Sequence, residues 1–434
     1  MIPVERIRLG AKQIWSTREA VPSMGRLEVL LLGAITLLFP FHSSVELFVT
    51  TVNGSLADSL VGVTVLLVLL GVVRVRTVHV SFVPAIAFVT LAAVGIGGRV
   101  LIATPDYYVA TTAVVETVKL VATLAWMVAI YSLLLRDTSR RLTVVTIITA
   151  VLAGAYGFWS FYLVRELGVW RPSGPFQNPN LFADYLLLAI FLSLALLTRT
   201  VRSNDTRMTV ALTISILGAF LGLVSTASRS GFGALLVGLV VVVDWKRVAH
   251  RIRTDVRVAL GSVVAIPAVL FVFLTADFKI VQRFADALSG EHIGSRPEVW
   301  RRSFEVFLDS PVLGIGIGQF RYVVTSSHPL PHNTSVLILT ETGLIGVAFA
   351  AMFVLTLLRA SHRLSETYPS MRMFTGFFVA TLVNSMFHDI YNFRSLWIAA
   401  GIVAAASVSY PNVKSTAIDD LSLPLSWQRS TSRE

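Results

Sequence analysis

The residues of this chain best suited to chemistry are a histidine and three arginines, each beside an apolar stretch. His332 precedes the run that starts at Thr334, with Asn333 between them. A neutral imidazole at a helix N-terminus resists protonation, because the helix dipole disfavours positive charge there. Such a histidine can act as a general base near neutral pH. Arg229, in Thr226-Ala227-Ser228-Arg229-Ser230-Gly231, stands at the entrance to another apolar run. Helix N-termini and guanidiniums both attract phosphate. Arg171 lies in a turn-rich connector that ends at Asn180, a candidate N-cap. Arg296 belongs to Ser295-Arg296-Pro297-Glu298, which has the form of a capping box with an early helical proline. Two readings are open for the arginines. They are interfacial anchors that snorkel to lipid headgroups, or guanidiniums gathered around an anion.

Other polar residues rank below these. Glu116 and Lys119, three apart in an apolar run, read as a mutually neutralising pair. Asp184, Glu341, His388 and Asp389 are secondary candidates. His388 and Asp389 invite a base-plus-orienter reading, but adjacent residues on a helix do not face each other. Cysteine is absent, so there is no thiolate metal site or cysteine nucleophile. No cluster has metal-ligand spacing. Gly314-Ile315-Gly316-Ile317-Gly318 follows no strand of a βαβ unit and is not a dinucleotide fingerprint.

Composition says what positions these groups. The chain has 434 residues, 55% hydrophobic and 14% charged, with a mean hydropathy of +0.74. Soluble domains carry about 25% charged residues. Apolar runs long enough to cross a bilayer recur at 27–43, 57–73, 79–97, 109–135, 142–164, 180–198, 207–226, 230–244, 256–275, 334–358, 372–390 and 394–410. The eighth is short. The expected fold is an all-α, polytopic bundle of about twelve transmembrane helices. No cleavable signal peptide is read in the basic segment 1–26.

The net charge of +11 would suggest nucleic acid in a soluble chain. Here its distribution fixes topology instead, and no nucleic-acid partner is expected. With both termini in the cytoplasm, 24 of the 36 Lys and Arg fall on the cytoplasmic side. The expected organisation is a cytoplasmic segment 1–26, spans one to nine over 27–275 and an extracytoplasmic loop 276–331. Spans ten to twelve follow over 332–410, then a cytoplasmic tail 411–434. Arg171, Arg229 and Arg296 then all lie on the side where positive charge is disfavoured, which calls for a local reason. Within the long loop, Trp300, Phe304, Phe307 and Leu308 share one helical stripe, predicting a short amphipathic helix on the membrane surface or the bundle.

At these residues the sequence resembles the O-antigen ligase family of bacterial envelope proteins, over roughly Arg171 to Gly346. His332 to Gly343 fits the family signature of a histidine, ten residues and a glycine. Ser228-Arg229-Ser230-Gly231, the Arg296-to-Trp300 spacing and Pro311 through Gly318 resemble it too. The resemblance implies an inner-membrane, multi-pass glycosyltransferase of polysaccharide biosynthesis that acts on the extracytoplasmic face. Its donor would be a glycan on polyprenyl (undecaprenyl) pyrophosphate. Its acceptor would be a hydroxyl of lipid A-core, as in lipopolysaccharide assembly, or of another envelope glycan or glycolipid. No metal, nucleotide or other cofactor is implied.

In that reading His332 is the catalytic base, Arg229 and Arg296 clamp the pyrophosphate and Arg171 supports them. Asn333, Glu341 and Gly343 are secondary site residues. A polymerase joining lipid-linked repeats is the alternative within the same chemistry. A solute transporter is the alternative outside it, although no internal repeat is evident. A membrane scaffold whose loop only binds partners is the third.

Overall fold

The computed structural model describes residues 22–47, 50–73, 75, 77–95, 107–176, 178–243, 296–323, 331–389 and 393–410. The ninth expected span, the first part of the long loop to Ser295 and the tail 411–434 lie outside these residues, as does most of segment 1–26. The side chain of Arg296 also lies outside the description.

The described chain is mostly helical. Its helices are α1 (Pro22–Leu38), α2 (Leu56–Leu69), α3 (Phe82–Gly95), α4 (Tyr107–Leu134), α5 (Thr138–Leu167), α6 (Pro179–Arg202), α7 (Thr206–Ser225) and α8 (Arg229–Val242). They continue with α9 (Arg296–Asp309), α10 (Phe320–Val323), α11 (Thr334–Thr367), α12 (Arg372–Ser385) and α13 (Arg394–Ser409). Apart from 256–275, every stretch read as a span from sequence holds one of these helices. Five are long and apolar enough to cross a membrane: Val109–Leu134, Thr138–Leu167, Pro179–Arg202, Thr206–Ser225 and Thr334–Thr367. Shorter apolar helices include Leu56–Leu69, Arg229–Val242 and Arg394–Ser409.

The all-helical expectation needs one amendment. Strands β1 (His42–Leu47) and β2 (Thr50–Ser55) form an antiparallel hairpin with His42 opposite Ser55. It brings His42 against Phe176, with ring centroids 4.7 Å apart, and so buttresses the connector that carries Arg171. Arg394 locks this corner by donating to both carboxylate oxygens of Asp58, at 2.8 and 2.7 Å. Arg394 also donates to His42 Nε2 at 3.1 Å, and since arginine is only a donor, that nitrogen accepts. The proton of His42 is then on Nδ1, which donates to the Pro40 carbonyl at 3.0 Å. Burial, joined by the Arg394 charge, pushes the pKa of His42 below the usual histidine value.

Close helix contacts rest on small residues, as membrane packing requires when lipid offers no hydrophobic drive. A Cβ on Gly157 of α5 would sit 1.9 Å from the Gly218 carbonyl oxygen of α7. Helix α8 meets α12 in the same way. Gly238 and Gly376 are in contact, and Arg372 Nη2 donates to the Val243 carbonyl at 3.4 Å. The two helices are therefore antiparallel, and the Arg229 end of α8 lies beside the Ser385 end of α12. Helix α6 runs parallel to α8, because Ala183 meets Gly231 and Phe191 meets Gly238.

Candidate functional site

The starts of α6, α8 and α11 and the turn after α12 lie at the same end of the bundle. The sequence explains each start. Asn178, not Asn180, caps α6. Its Oδ1 accepts from the Asn180 amide at 2.8 Å, and Pro179 follows at the first helical position, where no amide is missed. Asn180 is thereby free of the capping role expected of it, and its Oδ1 accepts from Arg171 Nη2 at 3.0 Å. Ser228 caps α8 through the Gly231 amide, at 3.3 Å, so Arg229 occupies the first position of that helix. Asn333 caps α11 through the Val336 amide at 3.1 Å, with His332 just before it.

Arg171 is half-buried and reaches across the connector. Its Nε donates to the Thr226 carbonyl at 3.0 Å, on the turn that leads to Arg229. Burial, and then the neighbouring Arg229 charge, holds its pKa below the usual arginine value. Two guanidiniums thus share one field at the junction of two helix N-termini. That arrangement is unfavourable alone and favourable around a polyanion.

His332 has a positive φ of 49°, a conformation that costs a non-glycine residue about 1–3 kcal/mol. Its surroundings hold it there. On one side Trp300 Nε1 of α9 donates to the Pro331 carbonyl at 3.0 Å. On the other, Thr334 Oγ1 donates to the His388 carbonyl at 2.7 Å, tying the start of α11 to the turn after α12. This turn also brings Asp389 to the imidazole, with Oδ2 at 3.7 Å from His332 Nδ1. Sequence adjacency invited His388 and Asp389 as a couple, a reading that helix geometry disfavoured. The structure brings Asp389 to His332.

Glu341 and Gly343 support the site from within. At Gly343 (φ 63°, ψ −164°) helix α11 is broken. The segment after α9 fills the break: Ile315 and Gly316 donate to the carbonyls of Thr340 and Glu341, at 3.0 and 2.8 Å. Leu344 and Ile345 in turn donate to the carbonyls of Pro311 and Val312, at 2.9 and 3.3 Å. The backbone groups orphaned by the break are thus satisfied. The Glu341 side chain is buried and accepts from the Phe320 amide at 3.2 Å. Gly314, Gly316 and Gly318 all have positive φ, which is what this loop uses its glycines for. Glu116 pairs with Lys119 at 3.0 Å as expected, and also with Arg321 at 3.3 Å, which sequence did not reveal.

Helix α9 sits differently from the expected stripe. Val299, Ser303 and Phe307 are buried, while Trp300, Phe304 and Leu308 are 37%, 55% and 59% exposed. Val299 packs with Phe320 of α10 and Leu337 of α11 in a small core of its own. Ser303 can lie on the buried face because its hydroxyl donates to the Val299 carbonyl at 2.6 Å. Ser295, the expected cap, lies outside the described residues. The Glu298 carboxyl is bound by Arg301 and Arg302, each at 2.8 Å, which hold its pKa down at about 2. Arg296 opens α9 by its backbone. Asp184, another secondary candidate, is buried in α6, one turn below Asn180.

Among the described residues no three His, Asp or Glu side chains gather as a metal site would require. No curated protein matches the chain. Residues 214–351 match the family model for O-antigen ligase. That interval starts in α7, contains Arg229, all of α9, His332 and the break at Gly343, and ends within α11. The stretch from 214 to 351 of this membrane protein belongs to the O-antigen ligase family.

Proposed function

We propose that the protein transfers a glycan from a polyprenyl-pyrophosphate donor to an acceptor hydroxyl on the extracytoplasmic face of the membrane. The observation that carries this reading is that Arg171 and Arg229 stand together at the starts of α6 and α8, with His332 at the start of α11 on the same end of the bundle. The helix starts and guanidiniums suit a pyrophosphate, whose negative charge grows as it departs. His332 suits the acceptor.

In the reaction the acceptor oxygen attacks the anomeric carbon and forms the new glycosidic bond. The bond from that carbon to the pyrophosphate oxygen breaks, and its electron pair stays on the pyrophosphate. The hydroxyl proton goes to the His332 imidazole. Attack opposite the leaving group inverts the anomeric configuration. Arg229 and Arg296 stabilise the leaving group, and Arg171 braces the turn that carries Arg229. Asn333, Glu341 and Gly343 serve the start and the break of α11 and touch no reacting atom in this account. A polymerase would use the same donor half and differ only in its acceptor, a second lipid-linked glycan. The test is reconstitution of the purified protein in liposomes with a lipid-linked oligosaccharide and lipid A-core. Release of polyprenyl pyrophosphate with growth of the acceptor supports the reading, and movement of an intact solute without bond cleavage defeats it.

A further inference from the structure

Asp389 is 57 positions from His332 in sequence, yet their side chains approach to 3.7 Å between Oδ2 and Nδ1. The contact is built rather than incidental. The Thr334 hydroxyl anchors the start of α11 to the carbonyl of His388, the residue next to Asp389. The Asn333 cap and the Trp300 bond to Pro331 fix the other side of the imidazole. The two side chains also differ in exposure, at 42% for His332 and 14% for Asp389. The carboxylate therefore sits behind the ring and the ring faces outward.

We infer that Asp389 is the positioning residue for His332, holding a proton on Nδ1 so that Nε2 is the nitrogen that takes the acceptor proton. The inference rests on the reading of His332 as a base, and adds which nitrogen acts and what orients it. A neutral imidazole has one N–H and one lone pair, and a partner at one nitrogen decides which is which. A carboxylate at Nδ1 fixes the N–H there and leaves the lone pair on Nε2. When Nε2 takes the hydroxyl proton, the ring becomes an imidazolium, and the adjacent carboxylate stabilises that charge. Asp389 stays ionised throughout, and the proton leaves from Nε2 to water. A separation of 3.7 Å is longer than a hydrogen bond, as expected where the contact tightens once substrate is bound.

The titratable and charged groups nearest in the fold are His388 on the same turn, Arg394 at the start of α13, which Asp58 binds bidentately, and Arg229 at the same end of the bundle.

The test uses full-length Asp389→Asn, Asp389→Glu and His332→Ala, each verified to insert and to elute as a single species. In the transfer assay Asp389→Asn is expected to lose about 10- to 100-fold in kcat with KM for the donor within about twofold, while Asp389→Glu recovers part of the rate. The acid limb of its pH profile is expected to move about one unit lower. Losing the carboxylate favours the neutral ring, and the neutral ring is the base.

A second measurement needs no turnover. The pH at which diethylpyrocarbonate modifies half of His332, followed by peptide mass mapping, is expected to fall by a similar amount in Asp389→Asn. An unchanged half-modification pH together with a wild-type kcat overturns the inference. If wild type transfers nothing but the half-modification pH still falls, the pairing stands and the transferase reading is the part that fails.

Discussion

Nε1 of Trp300 donates to the carbonyl of Pro331 at 3.0 Å, so helix α9 holds the residue immediately before His332. The long polar loop is therefore a structural arm of the site as well as the carrier of Arg296. Trp300→Phe keeps an aromatic side chain and removes the donor, and the lost hydrogen bond is a change of about 0.5–1.5 kcal/mol in stability. It is expected to lower transfer about 3- to 10-fold through a less fixed His332, with membrane insertion unchanged. Initial rates with lipid-linked donor, set beside a thermal unfolding curve, check both halves.

The break in α11 predicts a strict requirement for glycine. At Gly343 a Cβ would sit 2.4 Å from the Val312 carbonyl oxygen, and the backbone has φ 63° and ψ −164°. Gly343→Ala is expected to cost at least about 3 kcal/mol, combining backbone strain with displacement of the loop. Unfolding in detergent should show a clear fall in midpoint, and a midpoint equal to wild type would refute this account of the His-to-Gly spacing.

The Arg171 and Arg229 charges predict stabilisation by polyanions. Each disfavours the other, and burial holds the Arg171 pKa down, so a bound pyrophosphate relieves both penalties. Inorganic pyrophosphate at about 100 times its Kd should stabilise the protein by about 2.7 kcal/mol. The shift should vanish in an Arg171→Ala, Arg229→Ala double variant and shrink with added salt. Equal shifts in variant and wild type would place the anion elsewhere.

The seating of α9 predicts an order of effects opposite to that of side-chain size. Val299→Ala removes buried methyl groups worth about 1.5–2.5 kcal/mol, whereas Leu308 is 59% exposed and Leu308→Ala should cost under about 0.5 kcal/mol. Limited proteolysis within the loop should accelerate in the first variant only.

Much of the frame was legible in the sequence. Hydropathy located the helices, and cap chemistry put Arg229 and His332 at helix entrances, because both signals are local. The rest depended on tertiary contacts. Asn180 reads as the cap of α6, whereas Pro179 at the first helical position gives that role to Asn178, and the contact of Asn180 with Arg171 is a tertiary one. Asp389 is a secondary candidate in the sequence, without a partner assigned on another element, because His332 lies 57 residues away. The sequence left open which face of α9 meets the bundle, because hydropathy does not distinguish a bundle-facing apolar side chain from a lipid-facing one. The hairpin at His42 interrupts what reads as the polar gap between two spans.

The most direct test of the central claim is the rate of glycan transfer by purified His332→Ala in liposomes containing lipid-linked donor and acceptor. The account predicts a loss of at least about 100-fold with donor binding retained, since the imidazole serves the acceptor and the arginines serve the donor. Transfer by His332→Ala at the wild-type rate would contradict it.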